Sequence, residues 1–574
     1  MTKINTNFKG TYTFKNWQEL PWKEIMTYVR VLQDQIVRAT DKHEYKEVYD
    51  LQRKLVTSFE GRALAVRNVS TSSGAKTPGI DNITWKSPAD RMNAIIELGE
   101  ITKNPKSYKA SPLKRVMIPK TNSKELRPLG IPTIGDRAVQ AVYHLAVDPV
   151  VETKSDTNSY GFRKGRSQHD AIAYIRSWLD KNYSPEYILE TDIAKCFDKI
   201  NHEYMLKNIK ICDKNVLEQW LKCGYIYENK LYPTTEGTPQ GGIISPMLCN
   251  AVLNGLESKI REHYPLRDSK GFRAKVYICR FADDLIITAN SKEILIDIKT
   301  IIKEFLEIRD LEMKETKTRI VHINEGFYFL GFNISRKKFN PRLNQDTDQD
   351  TVLIIKPSKK AIDSINLKIK ETIENNPIME TLVKELNPII RGWGNYFKIS
   401  YHSQAVFIKI GHSFWTKMMS WVKNKHPRGS LLKNIQKYIV TGKTRSNHKW
   451  VWGVNKKNWD IEKENKETII NIAEITPVKH SLLKLDRNPY RLEDRTYFEK
   501  RAIIKIEAKH RAAVYKNFKN ICILCGESLH NGEPVELHHI LPAKDGGKYS
   551  LKNMQPLHQI CHQSITHNNK NIED

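Results

Sequence analysis

No stretch of the chain approaches the roughly 18–20 consecutive apolar residues that a membrane-spanning helix needs, so the fold is not organised around a bilayer. The first residues, Met1 to Asn7, are polar and lack the apolar core of a secretory signal. Cysteine is scarce, 8 in 574 residues, and Cys196, Cys212, Cys223, Cys249 and Cys279 stand singly, a pattern that suits a reducing compartment more than a disulfide framework. No internal repeat is visible. Acidic residues are in deficit: 65 Asp and Glu face 93 Lys and Arg, a net charge of +28. A surplus of that size repels itself in a compact fold unless a polyanion neutralises it, so nucleic acid is the expected partner, with ribosome-like and membrane-surface roles as the other basic classes.

What is present is enough for folded domains. Hydrophobic residues make up 40% of the 574, and that length implies roughly two to four cores. Residues 17–69 carry a helical period (Ile25, Val29, Leu32, Ile36, then Val48, Leu51, Leu55) with basic residues between. Basic strand-like segments follow, Leu113 to Lys120 and Arg127 to Pro132, then a helix from Asp136 to about Val147. A basic Gly-rich loop, Tyr160-Gly161-Phe162-Arg163-Lys164-Gly165-Arg166, precedes a helix over 167–180. Glu236-Gly237-Thr238-Pro239-Gln240-Gly241-Gly242 leads into a helix from about Met247 to Ile260, its glycines allowing backbone to approach a ligand. Residues 340–351 read as a loop, and 358–421 as helices. The stretch 423–460 interleaves Lys423, Lys425, Arg428, Lys443, Arg445 and Lys449 with Trp450, Trp452 and Trp459, a pattern that stacks bases while neutralising phosphates or belongs to a small packed subdomain.

The chemistry concentrates in two places. Tyr277 to Thr288 reads as strand, tight turn bearing Asp283 and Asp284, and returning strand. Such a pair is either a wet hairpin tip or a metal site. Asp192, at the end of the apolar strand Tyr187 to Thr191, adds a third carboxylate, and three carboxylates at neighbouring strand ends can hold two Mg²⁺ ions for in-line nucleotidyl transfer. The second place is the C-terminal region, where Cys522-x₂-Cys525 and Cys561 are joined by six of the 18 histidines: His530, His538, His539, His558, His562 and His567. That density points to a metal site.

Taken in order, Tyr160-Gly161-Phe162-Arg163, Asp192, Gly237-Thr238-Pro239-Gln240-Gly241 and Asp283-Asp284 resemble the reverse transcriptases encoded by group II introns, over most of residues 20–460. The resemblance implies an α+β right-hand polymerase, with fingers and palm built on an antiparallel sheet and a helical thumb, the maturase or X domain, that binds intron RNA. By the same resemblance Asp192, Asp283 and Asp284 match the catalytic carboxylates that hold Mg²⁺. Phe197 matches the aromatic that crowds the sugar 2′ position, and Arg115, Lys120 and Arg127 match basic finger residues near the triphosphate. Gln240 matches the glutamine beside the nucleotide, Lys317 a lysine near the palm, and Leu330-Gly331 the primer-grip turn. The segment Arg391-Gly392-Trp393-Gly394-Asn395-Tyr396 resembles the maturase region, making Arg391, Trp393 and Tyr396 RNA-binding candidates.

The C-terminal cluster looks like an HNH nuclease domain, a zinc-stapled ββα-metal fold. Cys522, Cys525, His558 and Cys561 form C-x₂-C and H-x₂-C knuckles suited to a closed structural Zn²⁺. Relatives place Cys where His558 stands. By resemblance His539 is the general base, His538 and His562 bind the catalytic Mg²⁺ or Mn²⁺, Asn553 orients the base, and His567 is an extra ligand or merely exposed. A zinc-only DNA-binding knuckle leaves His538, His539 and Asn553 unexplained.

The expected division is 1–75 N-terminal helical extension, 76–340 fingers and palm, 352–425 maturase, 426–500 basic DNA-binding or linker region, and 501–574 HNH domain. The implied protein splices its own intron, nicks target DNA and copies intron RNA from the new 3′ end. Its partners are intron RNA, double-stranded target DNA, dNTPs and a second copy of the chain, with no membrane. Such proteins work in the bacterial cytoplasm, the chloroplast or the mitochondrion. Two other readings are a splicing-only maturase with little enzymatic activity and a non-intron reverse transcriptase fused to a nuclease; the maturase-like segment argues against the latter.

Overall fold

The computed structural model describes residues 16–119, 126–181, 183–238, 241–267, 269, 273–338, 351–440, 450–454, 468–502, 509–542, 545–547 and 550–570. Lys120, Gln240, the stretch 340–350, Lys443, Arg445, Lys449 and Trp459 lie outside the described residues, as does the side chain of His567.

The apolar period of the N-terminal region becomes three helices, Trp22–Asp41, Tyr45–Thr57 and Phe59–Thr71, which bury Ile25, Val29, Leu32, Ile36, Val48 and Leu55. The second and third meet at Ser58, whose hydroxyl accepts from the Gly61 amide at 3.0 Å. A Cβ on Gly61 would lie 2.3 Å from the Leu55 carbonyl oxygen, so the corner needs glycine. With Pro88–Lys103 they pack around Ile134–Lys154. That last helix is longer than the expected 136–147 and runs through Pro149. Proline at 149 leaves the Leu145 carbonyl without its helical donor, and Gln33 Nε2 from the neighbouring helix donates to it at 2.8 Å. Conversely, the helix expected over 247–260 is two, Ser245–Leu253 and Leu256–His263. Gly255 turns left-handed between them (φ +94°), and the Asp156 carboxylate accepts from its amide at 3.0 Å.

Strands β1 (Leu113–Pro119) and β2 (Leu126–Ile131) form an antiparallel hairpin. The sheet continues beyond β1 through β4 (Tyr225–Tyr227) and β5 (Lys230–Tyr232). The central antiparallel sheet combines β3 (Tyr187–Asp192), β6 (Tyr277–Phe281), β7 (Asp284–Ala289) and β8 (Arg319–His322) in the order β6-β7-β3-β8. A third sheet joins β9 (Phe327–Phe329), β10 (Phe332–Lys338) and β11 (Thr351–Pro357). Three helices follow, Lys359–Glu374, Met379–Phe397 and Ser403–Lys425. Short pairs close the list: β12 (Ile439–Val440) with β13 (Val451–Trp452), and β14 (Val535–His539) with β15 (Met554–His558).

The central sheet is covered on both faces, which explains why its strands are almost continuously apolar. Leu189, Ile278, Leu285 and Ile287 join one apolar cluster with the N-terminal helices. Their strand neighbours Ile188, Cys279 and Ile286 face the other cluster, shared with β9–β11 and the helices after them. The chain is thus a mixed α+β assembly of sheets clad in helices.

Candidate active sites and metal centre

Strand register brings the three carboxylates to one end of the central sheet. Asp192 lies opposite Asp284 in the β3–β7 ladder, and Phe281 lies opposite Asp284 in the β6–β7 ladder. The turn is therefore Ala282-Asp283, and Asp284 already belongs to β7 instead of sharing the tip with Asp283. Ala282 is left-handed (φ +57°), a strained position for a residue with a Cβ. The hairpin is pinned by the Ile193 amide, which donates to the Asp283 carbonyl at 3.1 Å. Gly161 backs it: a Cβ there would stand 2.4 Å from the Ala282 nitrogen.

Asp192 is buried, with Oδ1 lacking a hydrogen-bond partner and Oδ2 accepting from Lys317 Nζ. Burial, with the charges of Asp283 and Asp192, pushes the Asp284 carboxyl up to about 7. Burial and the Asp192 charge raise Asp283 as well. Burial pulls Lys317 down, but its hydrogen bond to Asp192 and the acidic charges outweigh this and raise it. Several acids facing one ammonium leave negative charge uncompensated, and an orphaned hard oxygen beside it fits a divalent cation such as Mg²⁺.

Phe197 sits on the short turn Cys196–Lys199, with its ring edge-on to Phe162 at 6.2 Å. Gly237 packs on that turn: its amide donates to the Ile200 carbonyl at 2.8 Å, and a Cβ there would lie 2.5 Å from the Asp198 carbonyl. Gly241 in turn approaches Gly130 of β2 so closely that a Cβ would stand 2.6 Å from its oxygen. The Gly-rich segment is thereby anchored at both ends, between the carboxylates' sheet and the β1–β2 hairpin. Arg115 is opposite Gly130, its guanidinium over Tyr225 at 3.2 Å, and Arg127 is opposite Ile118 on the exposed part of β2. The basic loop 160–166 turns charge inward: Arg163 is buried against Glu152 at 2.6 Å, and Lys164 lies over Tyr490 at 4.4 Å.

Leu330 and Gly331, both left-handed, make the tight turn between β9 and β10. Tyr396 Oη donates to the Leu330 carbonyl at 2.9 Å, tying the helix Met379–Phe397 to that turn. Burial and the Asp284 charge push its phenol up to about 12. Trp393 packs on Phe397 at 4.5 Å and Phe407 at 5.7 Å, and Arg391 is half-buried on the same helix.

In the C-terminal region the ligand atoms of Cys522, Cys525, His558 and Cys561 all lie within 4.8 Å of one another, and all four residues are buried. Cys522 and Cys525 flank a turn closed by the Gly526 amide donating to the Cys522 carbonyl at 2.9 Å. His558 ends β15, and Cys561 follows in the helix Gln559–Lys570. Hydrogen bonds from Cys525 and Cys561 hold the Cys522 thiol well below its ordinary value. His558 Nδ1 faces Cys525 Sγ at 3.2 Å, and Nε2 lies 3.3 Å from the Ser528 carbonyl. A proton on Nε2 shared with that carbonyl leaves Nδ1 to bind metal, and three thiols with one imidazole fit Zn²⁺.

Beside it, β14 carries His538 and His539 at its end. His562 Nε2 lies 2.9 Å from His538 Nδ1, so two imidazole nitrogens converge, and His562 Nδ1 meets Glu536 Oε2 at 2.5 Å. The Asn553 side chain grips the backbone of Leu541, accepting from its amide at 2.7 Å and donating to its carbonyl at 3.0 Å, which fixes the chain just after His539.

Four protein families match successive stretches of the chain. Residues 17–98 match the N-terminal domain of reverse transcriptase, and 118–334 match the reverse transcriptase (RNA-dependent DNA polymerase) family. Residues 362–439 match the group II intron maturase-specific domain, and 522–568 the HNH endonuclease. Protein YkfC of Escherichia coli is 31% identical over 319 residues, covering 50% of this chain and 83% of YkfC. The group II intron-encoded protein LtrA of Lactococcus lactis is 30% identical over 331 residues, 47% of this chain and 54% of LtrA. The putative COX1/OXI3 intron 1 protein of Saccharomyces cerevisiae is 25% identical over 598 residues, covering 89% of this chain and 66% of that protein. The chain belongs to the group II intron-encoded reverse transcriptases and maturases.

Within that family this member carries polymerase, maturase and HNH endonuclease domains on one chain. Among the described residues no helix is long and apolar enough to cross a membrane. Glu536 is a site residue that the sequence motifs do not single out, although it stands two residues before His538 and so shares its strand face.

Proposed function

We propose that this group II intron-encoded protein copies RNA into DNA at Asp192, Asp283 and Asp284, and cuts the DNA that primes the copy at His539. The observation that carries the first half is the ladder register of Asp192 with Asp284 beside the Asp283 turn. Divalent ions held by these acids would activate the primer 3′-hydroxyl and neutralise the leaving pyrophosphate. In this reading the β2-β1-β4-β5 sheet forms the fingers, the central sheet the palm, and the helices from Lys359 to Lys425 the thumb. Arg115, Lys120 and Arg127 neutralise the triphosphate, Gln240 lies beside the nucleotide, and Phe197, held edge-on by Phe162, excludes a ribose 2′-hydroxyl. The Leu330-Gly331 turn, supported by Tyr396, steadies the primer. Arg391, Trp393 and Tyr396 contact intron RNA, and Trp393 and Tyr396 also hold their helix in place.

In the nuclease domain His539 removes a proton from the attacking water, and Asn553 sets its position through the Leu541 backbone. His538 and His562 hold the catalytic divalent ion, with Glu536 orienting His562. The Cys₃His set holds a structural Zn²⁺ that staples a domain too small to fold on its core alone. The protein works where its intron is transcribed, in a bacterial cytoplasm or an organelle.

Primer extension on an RNA template with Mg²⁺, run beside nicking of target duplex, tests the assignment. Asp283→Ala should abolish synthesis and spare nicking, and His539→Ala should do the reverse, with intron RNA binding kept in both. Synthesis by Asp283→Ala at the wild-type rate would overturn it.

A further inference from the structure

The Cys₃His centre does not stand within its own domain alone. Arg67, on the N-terminal helix Phe59–Thr71, is fully buried and crosses to it over 458 residues of sequence. Its Nη2 lies 3.8 Å from Cys525 Sγ and 3.5 Å from Cys561 Sγ, and donates to Glu533 at 2.9 Å, where Nε also donates at 3.2 Å. The guanidinium is stacked 4.8 Å over Trp22, and Nη1 has no hydrogen-bond partner.

Around this contact the two regions share one apolar cluster, with Trp17, Trp22 and Ile25 from one side and Leu529, Leu557 and Ile560 from the other. Arg30 pairs with Glu527 at its edge, and Arg495 donates to the Gly526 carbonyl at 2.8 Å.

We propose that Arg67 is a positioning residue of the metal centre, and that the loaded centre locks the nuclease domain onto the N-terminal helices of the polymerase. A dication with three thiolates and a neutral imidazole keeps a net negative charge. The guanidinium supplies the opposing charge and N–H donors to two sulfurs, the second-sphere contact that stabilises thiolate ligands. The dependence runs both ways. Without the metal–thiolate charge the buried guanidinium keeps only Glu533 as a charged partner and its N–H donors lose their two strong sulfur acceptors, which weakens the interface it spans. Metal loading thus decides whether the domains stay joined.

The inference rests on the zinc reading of the four ligands, and the full-length protein tests both. Metal content and the rate of zinc transfer to a coloured chelator are measured for wild type, Arg67→Met and Arg67→Lys. Amide hydrogen exchange is followed on the wild type before and after chelation. Arg67→Met should release zinc roughly 10–100-fold faster than wild type, with Arg67→Lys between them and primer extension unchanged. Stripping zinc from the wild type should raise exchange in the helices 22–41 and 59–71 as well as in 515–561, a readout that holds even if the variants fold poorly. Exchange confined to 515–561, or variants with wild-type release rates, would overturn the lock while leaving the zinc reading intact. A wild-type protein that binds no zinc overturns both.

Discussion

Lys317 Nζ pairs with Asp192 Oδ2, while Asp192 Oδ1 is buried with no hydrogen-bond partner. The lysine is a resident cation in a site with more negative charge than it can neutralise. Its charge lowers the affinity of Asp283 and Asp284 for protons.

Proton and metal therefore compete at Asp284, whose carboxyl lies at about 7. At sub-saturating Mg²⁺, primer extension should rise roughly tenfold per pH unit below that value and level off above it, since the ligand must be deprotonated. Lys317→Met should move the break to higher pH. A profile flat from pH 6 to 8, or a break moved downwards by the variant, would contradict this assignment.

The same shift has a cost in stability. The folded-state value lies above the ordinary 3.8, so the contribution of Asp284 is complete below about pH 4 and is lost as pH rises through 7. Asp284→Asn should thus stabilise the metal-free protein at pH 8 by on the order of 2–4 kcal/mol, and less at pH 5. Differential scanning calorimetry in chelator at the two pH values measures it. The variant should be inactive in synthesis throughout.

Gly161 has no room for a methyl group against the Ala282 nitrogen. Gly161→Ala should displace the Asp283 turn and lower primer extension by about tenfold or more, since misplacing a reacting group by an ångström costs that much. Nicking should not change. Equal loss of both activities would indicate general unfolding instead.

Glu536 holds His562 through Nδ1 and leaves Nε2 facing His538. Glu536→Gln should raise the divalent-ion concentration needed for nicking by roughly 10–100-fold. Synthesis serves as the internal control, and a nicking curve superimposable on wild type would remove Glu536 from the site.

Much of this was legible in the sequence because local signals carried it. The helix expected over 167–180 forms as Gln168–Leu179, the motif order pointed to the family, and Cys522, Cys525, His558 and Cys561 do meet. What was not legible depends on distant partners. Nothing near Pro149 announces that Gln33 will satisfy Leu145, and nothing near Arg67 announces Cys561. The break at Gly255 was half visible, since glycine permits the turn, but Asp156 supplies the cap from another element. From sequence alone Asp284 reads as a hairpin-tip residue, because alternation cannot distinguish the last turn residue from the first strand residue.

The burial of Arg67 among residues synthesised 458 positions later also sets an order of events on the ribosome. At about 5–20 residues per second, the guanidinium and Trp22 beneath it wait roughly 20–90 s for their cover. Throughout that interval the nascent polymerase presents an apolar, cationic flank to the cell. A message cut short before Cys522 would release a chain with that flank permanently bare, a natural substrate for chaperones and proteases.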